Sequence, residues 1–561
     1  MVVELHPMAL LSTILEDLKN RGTKSSWEAS TNSWPKEYSA HELFRLSGMK
    51  VCLENDDMDL LRSSVLCLRQ ASMALKLLEK IVDRTAATAM SSLNTLVSKR
   101  KFDVFKLPNE IVSLIFTYVH KSAAEDDDRL DINDEKKIPP TSRQSLYLTH
   151  ICHHWRTLAS SMPELWTTLS NLQHPGSVRH FIQLSKKKAL DVTFVARTSM
   201  FCIMSLISSS FMKHDSFLAL LMPLSKRWQS FDLTFLPDGE DEEVDAILPG
   251  LVDAFKKAKC NKLVKVSIRL GGWFNGLRDG SSASSIFSSW NAPKLRNCAV
   301  TDFIPSTPVS KGVTTLTIDL VDDLSDRFDY GEIFDFIGLH PNLSKLDIRF
   351  RPTNYAMFRA IESTTFQGGL DLPFLKKLQI NVPVTESYDL IKDLLRSLSQ
   401  PTLEDVTLDF RICLQEMEDE DLDKDLSLNF QSELNLCLQE LSRHDSLRSF
   451  SLEVSQEDRA NPYHSNNALE SVFTNLPHLE HLEICAPDLP APTVKELRAP
   501  LRTLNLNKCS RFDDKFIKEI LGALARRDAL DSFERLSVDG CEKLRKESAV
   551  AFLPSSKVAW E

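Results

Sequence analysis

A short apolar signature recurs along this 561-residue chain: leucine, two residues, an apolar residue, one residue, and a second apolar residue. Clear copies are Leu343-x-x-Leu346-x-Ile348, Leu375-x-x-Leu378-x-Ile380, Leu403-x-x-Val406-x-Leu408, Leu447-x-x-Phe450-x-Leu452, Leu479-x-x-Leu482-x-Ile484, Leu501-x-x-Leu504-x-Leu506 and Phe533-x-x-Leu536-x-Val538. Looser copies precede them at Trp228-x-x-Phe231-x-Leu233, Leu263-x-x-Val266-x-Ile268, Leu295-x-x-Cys298-x-Val300 and Val313-x-x-Leu316-x-Ile318. A unit this short cannot bury its own apolar side, so many copies in order must stack and share one core.

Alternation over three positions predicts a short strand with its apolar residues turned inward. Each strand must then be followed by a return. Glu332–Ile337 before Pro341, Leu390–Leu395 before Pro401, and Asp514–Leu521 all read as helical returns. Proline just beyond a helix stops it cleanly. The middle apolar positions are spaced irregularly, from 18 residues (298 to 316) to 44 (406 to 450). The array is therefore degenerate. An ordinary α/β domain whose strands share the pattern is the competing reading.

Together these copies resemble leucine-rich repeats, and the resemblance implies an α/β solenoid with an exposed, concave parallel sheet. The last two, Leu504-Asn505-Leu506-Asn507-Lys508-Cys509 and Leu536-Ser537-Val538-Asp539-Gly540-Cys541, resemble the cysteine-containing subtype. In that subtype Cys509 and Cys541 would be buried turn residues and not reactive ones.

Ahead of the repeats, residues 105–170 hold two dense apolar clusters. Leu107-Pro108-Asn109-Glu110-Ile111 opens the first. Pro108 suits a first helical turn, where its missing N–H is not needed, and Glu110 suits the positive end of the helix dipole. Ile111, Leu114, Ile115, Tyr118 and Val119 then fall on one helical face, while Leu107, Val112 and Phe116 lie off it. Such a helix is apolar on two sides, more than one small core needs. An acidic stretch follows, Glu125–Asp128 to Thr141, and is expected to be a solvated loop. In the second cluster Leu148, Ile151, Cys152, Trp155 and Ala159 are expected to share a face, and Met162-Pro163-Glu164-Leu165-Trp166 begins a third element.

These residues resemble the F-box. The matching pieces are Leu107-Pro108-Asn109-Glu110-Ile111, Ile115-Phe116-Thr117-Tyr118-Val119, Ile151-Cys152-His153-His154-Trp155-Arg156 and Leu165-Trp166. Ile151 stands where the family more often has valine, and the acidic insert is unusual. With degenerate repeats behind it, the chain resembles fungal, basidiomycete-type F-box proteins. The resemblance implies a small all-α module that docks the adaptor subunit of an SCF-type cullin–RING ubiquitin ligase. It implies adaptor-docking or box-holding roles for Leu107, Pro108, Ile111, Ile115, Val119, Cys152, Trp155 and Trp166. The repeats would then hold a target protein, and the chain would supply proximity and not covalent chemistry. A non-catalytic scaffold acting outside any ligase is the alternative.

The expected organisation has four parts. Residues 1–57 are a serine-rich, partly disordered segment. Residues 58–100 form a heptad-like helix, with Leu61, Leu68, Leu75 and Val82 seven apart. It serves either as a coiled-coil partner or as a helix packed on its own domain. Residues 101–172 hold the box, with its insert at 122–142, and residues 178–561 hold the repeats. A net charge of −11 argues against nucleic acid as the main partner. The N-terminus lacks a basic start and a long apolar run, and no apolar stretch is long enough for a membrane. The 11 cysteines are therefore expected to be reduced thiols, in the cytoplasm or nucleus. His150, Cys152, His153 and His154 do not share a helical face, so they predict no metal. No phosphate loop, nucleophile elbow or kinase set is present, and no cofactor is expected.

Overall fold

The computed structural model describes residues 107–127, 139–198, 214–237, 255, 258–270, 290, 292–305, 310–321, 330–351, 369–383, 388–398, 402–412, 432, 434–456, 469–487, 489–494 and 497–560. The segment 1–57 and the helix expected over 58–100 lie outside the described residues. From Pro108 onward the chain forms one compact unit, Pro108–Glu561. No helix among the described residues is long and apolar enough to cross a membrane.

Fourteen strands run in sequence order through one sheet. They are β1 (Thr168–Ser170), β2 (Leu190–Thr198), β3 (Trp228–Pro237), β4 (Lys265–Leu270), β5 (Asn297–Thr301), β6 (Thr315–Val321) and β7 (Lys345–Arg351). Then come β8 (Lys377–Pro383), β9 (Asp405–Ile412), β10 (Ser449–Gln456), β11 (His481–Cys485), β12 (Thr503–Asn507), β13 (Arg535–Asp539) and β14 (Val558–Trp560). Every neighbouring pair is parallel. The helices are α1 (Asn109–Asp127), α2 (Pro140–Ile151), α3 (His153–Ser161), α4 (Pro175–Leu184), α5 (His214–Leu221), α6 (Tyr330–Gly338), α7 (Tyr388–Ser397), α8 (Glu470–Asn475), α9 (Asp514–Arg526) and α10 (Lys546–Val550). Residues 434–441 are helical as well.

The middle residues of the eleven sequence copies form one unbroken ladder. Phe231, Val266, Cys298, Leu316, Leu346, Leu378, Val406, Phe450, Leu482, Leu504 and Leu536 pair in turn across adjacent strands. All are buried. Leu169 and Val192 extend the ladder at one end and Val558 at the other. Those three escape the sequence pattern because Ala189 and Ser555 hold the leading positions before Val192 and Val558, and Asn171 holds the last apolar position after Leu169.

The leading leucine of several copies closes a turn. Its N–H donates to the carbonyl three residues back in Leu263 to Cys260 (3.1 Å), Leu343 to His340 (3.2 Å), Leu375 to Leu372 (3.1 Å) and Leu447 to His444 (3.0 Å). That turn points the leucine inward and aims the chain into the next strand. The returns predicted at 332–337, 390–395 and 514–521 are α6, α7 and α9. Asp513 caps α9 by accepting from the Phe516 N–H at 3.2 Å. Alternating charges occupy the residue before each strand from β8 to β13. Lys376 pairs with Glu404 at 2.7 Å, Arg448 with Glu480 at 3.3 Å, and Arg502 with both Glu480 and Glu534. They brace the register from outside.

Two boundaries differ from expectation. The sheet begins at Thr168, not at 178, so the first strand lies inside the stretch assigned to the helical module. The acidic insert is also shorter than 122–142. Its first residues continue α1 to Asp127, and Pro140 already starts α2. Helix α1 outruns its apolar pattern because nothing in Ser122–Asp127 breaks a helix. Thr141 is buried against β1 and is no loop residue.

Candidate functional site

Helix α1 is apolar on two sides, and the two sides meet different surroundings. Val112, Phe116 and Ala123 are buried. Ile111, Leu114, Ile115 and Tyr118 are exposed, with Leu114 at 65% and Tyr118 at 74%. The denser stripe of the sequence thus faces solvent, and the sparser one builds the core. On α2, Tyr147 and Ile151 are also exposed, four residues apart on one face. Most other large apolar residues along the sheet point inward. Exposed apolar stripes of this density on packed helices are unusual on a surface that faces water.

Three residues lock α3 onto α1 and α2. The second cluster is not one helical face, because the helix breaks at Cys152, whose backbone is extended. Leu148 therefore turns inward while Ile151 stays exposed. Cys152 caps α3, its Sγ accepting from the Trp155 N–H at 3.4 Å. The half-buried Trp155 ring meets Phe116 edge-on, with centroids 4.8 Å apart. Arg156 Nε donates to the Thr149 carbonyl of α2 at 2.9 Å. Cys, Trp and Arg at this spacing thus perform three distinct tasks at one corner: cap, wedge and tie.

The expected site residues divide accordingly. Pro108, Ile111 and Ile115 are exposed, and Leu107, Val119, Cys152 and Trp155 are half-buried. Trp166, only 1% exposed, is a core residue and not part of the exposed face. Its Nε1 donates to the Ala159 carbonyl at 2.8 Å, and its ring meets Phe181 of α4 at 4.9 Å. Leu114, Tyr118, Tyr147 and Ile151 are not among the residues to which the resemblance assigns a docking or holding role, yet they form much of the exposed stripes. Their helical spacing is visible in the sequence, but which of two apolar sides faces out is not.

The helices also close the first edge of the sheet. The Thr167 carbonyl accepts from Asp191 of β2, so the Thr168 carbonyl points the other way. There it accepts from Ser142 Oγ (3.3 Å) and Gln173 Nε2 (3.3 Å). Gln173 Nε2 also donates to Ser142 Oγ at 2.6 Å, and Thr141 donates to Thr168 Oγ1 at 3.2 Å. Asn171 holds Val195 through both its amide atoms, at 2.7 and 2.9 Å. Ser145 donates to the Leu165 carbonyl at 2.6 Å and faces His120 Nδ1 at 3.2 Å. Burial pushes the His120 pKa down, opposed by the nearby Asp191 and by a backbone hydrogen bond at Thr141. A bare strand edge invites unwanted pairing, and these polar groups satisfy it instead.

Among the described residues no group of three or more His, Cys, Asp or Glu could hold a metal ion. No family model matches the chain, and no curated protein matches it. Solved structures do. The chain is similar to the leucine-rich repeat-containing protein LegL7 from Legionella pneumophila, at 14% identity over 59% of this chain and 90% of that one, with a TM-score of 0.31. It is similar to the yeast complex of Rad7 and Elc1, at 11% identity over 85% of this chain and 97% of that one, TM-score 0.28. A third similarity is to TLR13 in complex with ssRNA13, at 13% identity over 66% of this chain and 54% of that one, TM-score 0.27.

Proposed function

We propose that this chain is a non-catalytic receptor subunit of an SCF-type cullin–RING ubiquitin ligase. In this reading the helical module is an F-box. Its exposed stripes, Ile111, Leu114, Ile115 and Tyr118 on α1 with Tyr147 and Ile151 on α2, dock the adaptor subunit, and a target protein lies against the repeats. The observation that carries it is the exposure of these residues on helices whose opposite side is already packed. The family motif supplies the partner's identity. The sheet's role follows from its outward residues, which alternate with the buried ladder and include Thr317, Gln379, Thr407, Ser451 and Asn505. They form a broad polar surface of the kind that repeat proteins use to bind other proteins.

Co-purification of the full chain with the adaptor tests this. The wild-type chain should retain the adaptor and, through it, the cullin. Leu114→Asp with Tyr118→Asp should weaken adaptor binding by at least about tenfold, since each buries a charge at the contact. Both residues are exposed, so the circular dichroism spectrum and melting temperature should not move. A wild-type chain that captures no adaptor, or a double variant that binds equally well, overturns the proposal. Capture of the adaptor without cullin would favour the scaffold reading.

A further inference from the structure

The buried turn cysteines of the last two cysteine-bearing repeats sit side by side. Asn507 of β12 pairs with Asp539 of β13, and two residues further on come Cys509 and Cys541. The strands stay in step across that gap. Lys508 N–H donates to the Asp539 carbonyl at 2.8 Å. Lys508 and Gly540 both take left-handed backbone, with φ of 53° and 62°. Their backbones nearly touch, since a Cβ on Gly540 would lie 3.5 Å from Lys508 Cα. Two matching turns are thus stacked, and each throws its cysteine inward from the same place. Parallel neighbours stand about 4.8 Å apart, inside the Cα separation that a disulfide spans.

A hydrogen bond also joins the two residues. Cys509 N–H donates to Cys541 Sγ at 3.3 Å. Cys509 is fully buried, and Cys541 is 7% exposed. Both are free thiols in this structure. We propose that Cys509 and Cys541 form a redox-responsive dithiol, which peroxide converts to a disulfide joining the last two cysteine-bearing turns.

The order of events follows from exposure and hydrogen bonding. Cys541 is the slightly more exposed residue, and its sulfur receives the Cys509 N–H, which favours its thiolate. The Cys509 thiol hydrogen bond pulls the Cys541 pKa down in the same sense, against burial and Asp539. The corresponding thiol of Cys509 is pushed up, first by that hydrogen bond and then by burial. Cys541 sulfur attacks one oxygen of hydrogen peroxide, the O–O bond breaks, and the departing hydroxide takes the Cys541 proton to leave as water. Cys509 sulfur then attacks the sulfenic sulfur. The S–S bond forms, the S–O bond breaks, and the second water leaves with the Cys509 proton. Two thiols are oxidised and one peroxide is reduced to two waters. The new bond would close the segment between the two turns, which contains α9, and so clamp this end of the solenoid.

The test is independent of any ligase role. The folded full chain is treated with hydrogen peroxide, free thiols are alkylated in denaturant, and the unreduced digest is mapped by mass spectrometry. One linked peptide joining Cys509 to Cys541 is expected, lighter by two hydrogens and lost on reduction. Cys260 and Cys298, both buried, should be recovered alkylated. Recovery of Cys509 and Cys541 as alkylated thiols would overturn the proposal, and so would a link from either to Cys485. A Cys509→Ala variant separates the roles. Without its resolving partner, Cys541 should accumulate as sulfenic acid and be trapped by dimedone, and a folded variant with no such adduct refutes the assignment.

Discussion

The repeat sheet and the helices that close its first edge treat apolar residues in opposite ways. In the sheet, every rung from Leu169 to Val558 points inward and is buried. In α1, four of the larger apolar residues point outward, while Val112 and Phe116 suffice for the core. The sheet spends its leucines on itself. The helices keep a surplus. Because a surplus is costly in water, its retention argues for a partner, whereas the buried ladder argues only for a fold.

The largest expected effects lie where the two regions join. Trp166 packs on Phe181 of α4 and donates to Ala159 of α3, so it belongs to both. Trp166→Ala should cost about 3–5 kcal/mol in urea unfolding, as large-to-small changes in well-packed cores do. Leu346→Ala in the middle of the ladder should cost about 2–5 kcal/mol. If Trp166→Ala proved mild, the helices would be a tethered module and not a cap on the sheet.

Gln173 sharpens that boundary. Its side chain bridges Ser142 of α2 and the outward carbonyl of Thr168 on β1. Gln173→Ala leaves a buried carbonyl with one partner fewer and should cost about 1–3 kcal/mol. The same loss in denaturation of the helices and of the sheet, followed by separate probes, would show that they unfold together.

Acid should weaken the sheet through a buried histidine. His340 follows α6, fully buried, with Nδ1 2.9 Å from the Phe336 carbonyl and Nε2 without a hydrogen-bond partner. Burial holds its pKa below the usual histidine value, against the raising effect of the Phe336 hydrogen bond. Its neutral form is the one the fold accepts. The unfolded chain binds a proton near pH 6.5, while the folded chain resists it until lower pH. This part of the stability is therefore complete above about pH 6.5 and is lost as pH falls below it. A His340→Leu variant should show a shallower loss of melting temperature between about pH 6.5 and 5 than the wild type. An unchanged slope would assign the acid sensitivity to His120 or His444, whose pKa values burial also lowers.

Much of the sheet is legible in the amino-acid sequence, and the reason is physical. A ladder position must be apolar in every repeat, so it leaves the same mark eleven times between Phe231 and Leu536. The strands β1, β2 and β14 are not legible, because each breaks the signature at one position: Asn171 after β1, Ala189 before β2 and Ser555 before β14. The helical module is legible as a motif but not as a surface. The apolar spacing on α1 marks two sides, and only tertiary packing decides which one meets the core. The break at Cys152 is hidden for a similar reason, since a cysteine cap leaves no strong local signal. The polar seam of Thr141, Ser142 and Gln173 has the composition of a loop. Its meaning appears only when a strand edge lies beside it.

The smallest expected effect makes the sharpest comparison. Leu114→Ala removes the same atoms as Leu346→Ala. Leu346 is buried within a ladder of apolar neighbours on both sides. Leu114 is largely in water already, so its truncation leaves no cavity and forfeits little burial. Its effect on unfolding should fall within about 0.5 kcal/mol of zero. A large loss of stability would mean that the α1 stripe is covered within the chain itself, and the surplus that points to a partner would vanish. A neutral result, joined to lost adaptor capture by the Leu114→Asp and Tyr118→Asp pair, would separate the residues that hold this protein together from those it reserves for another.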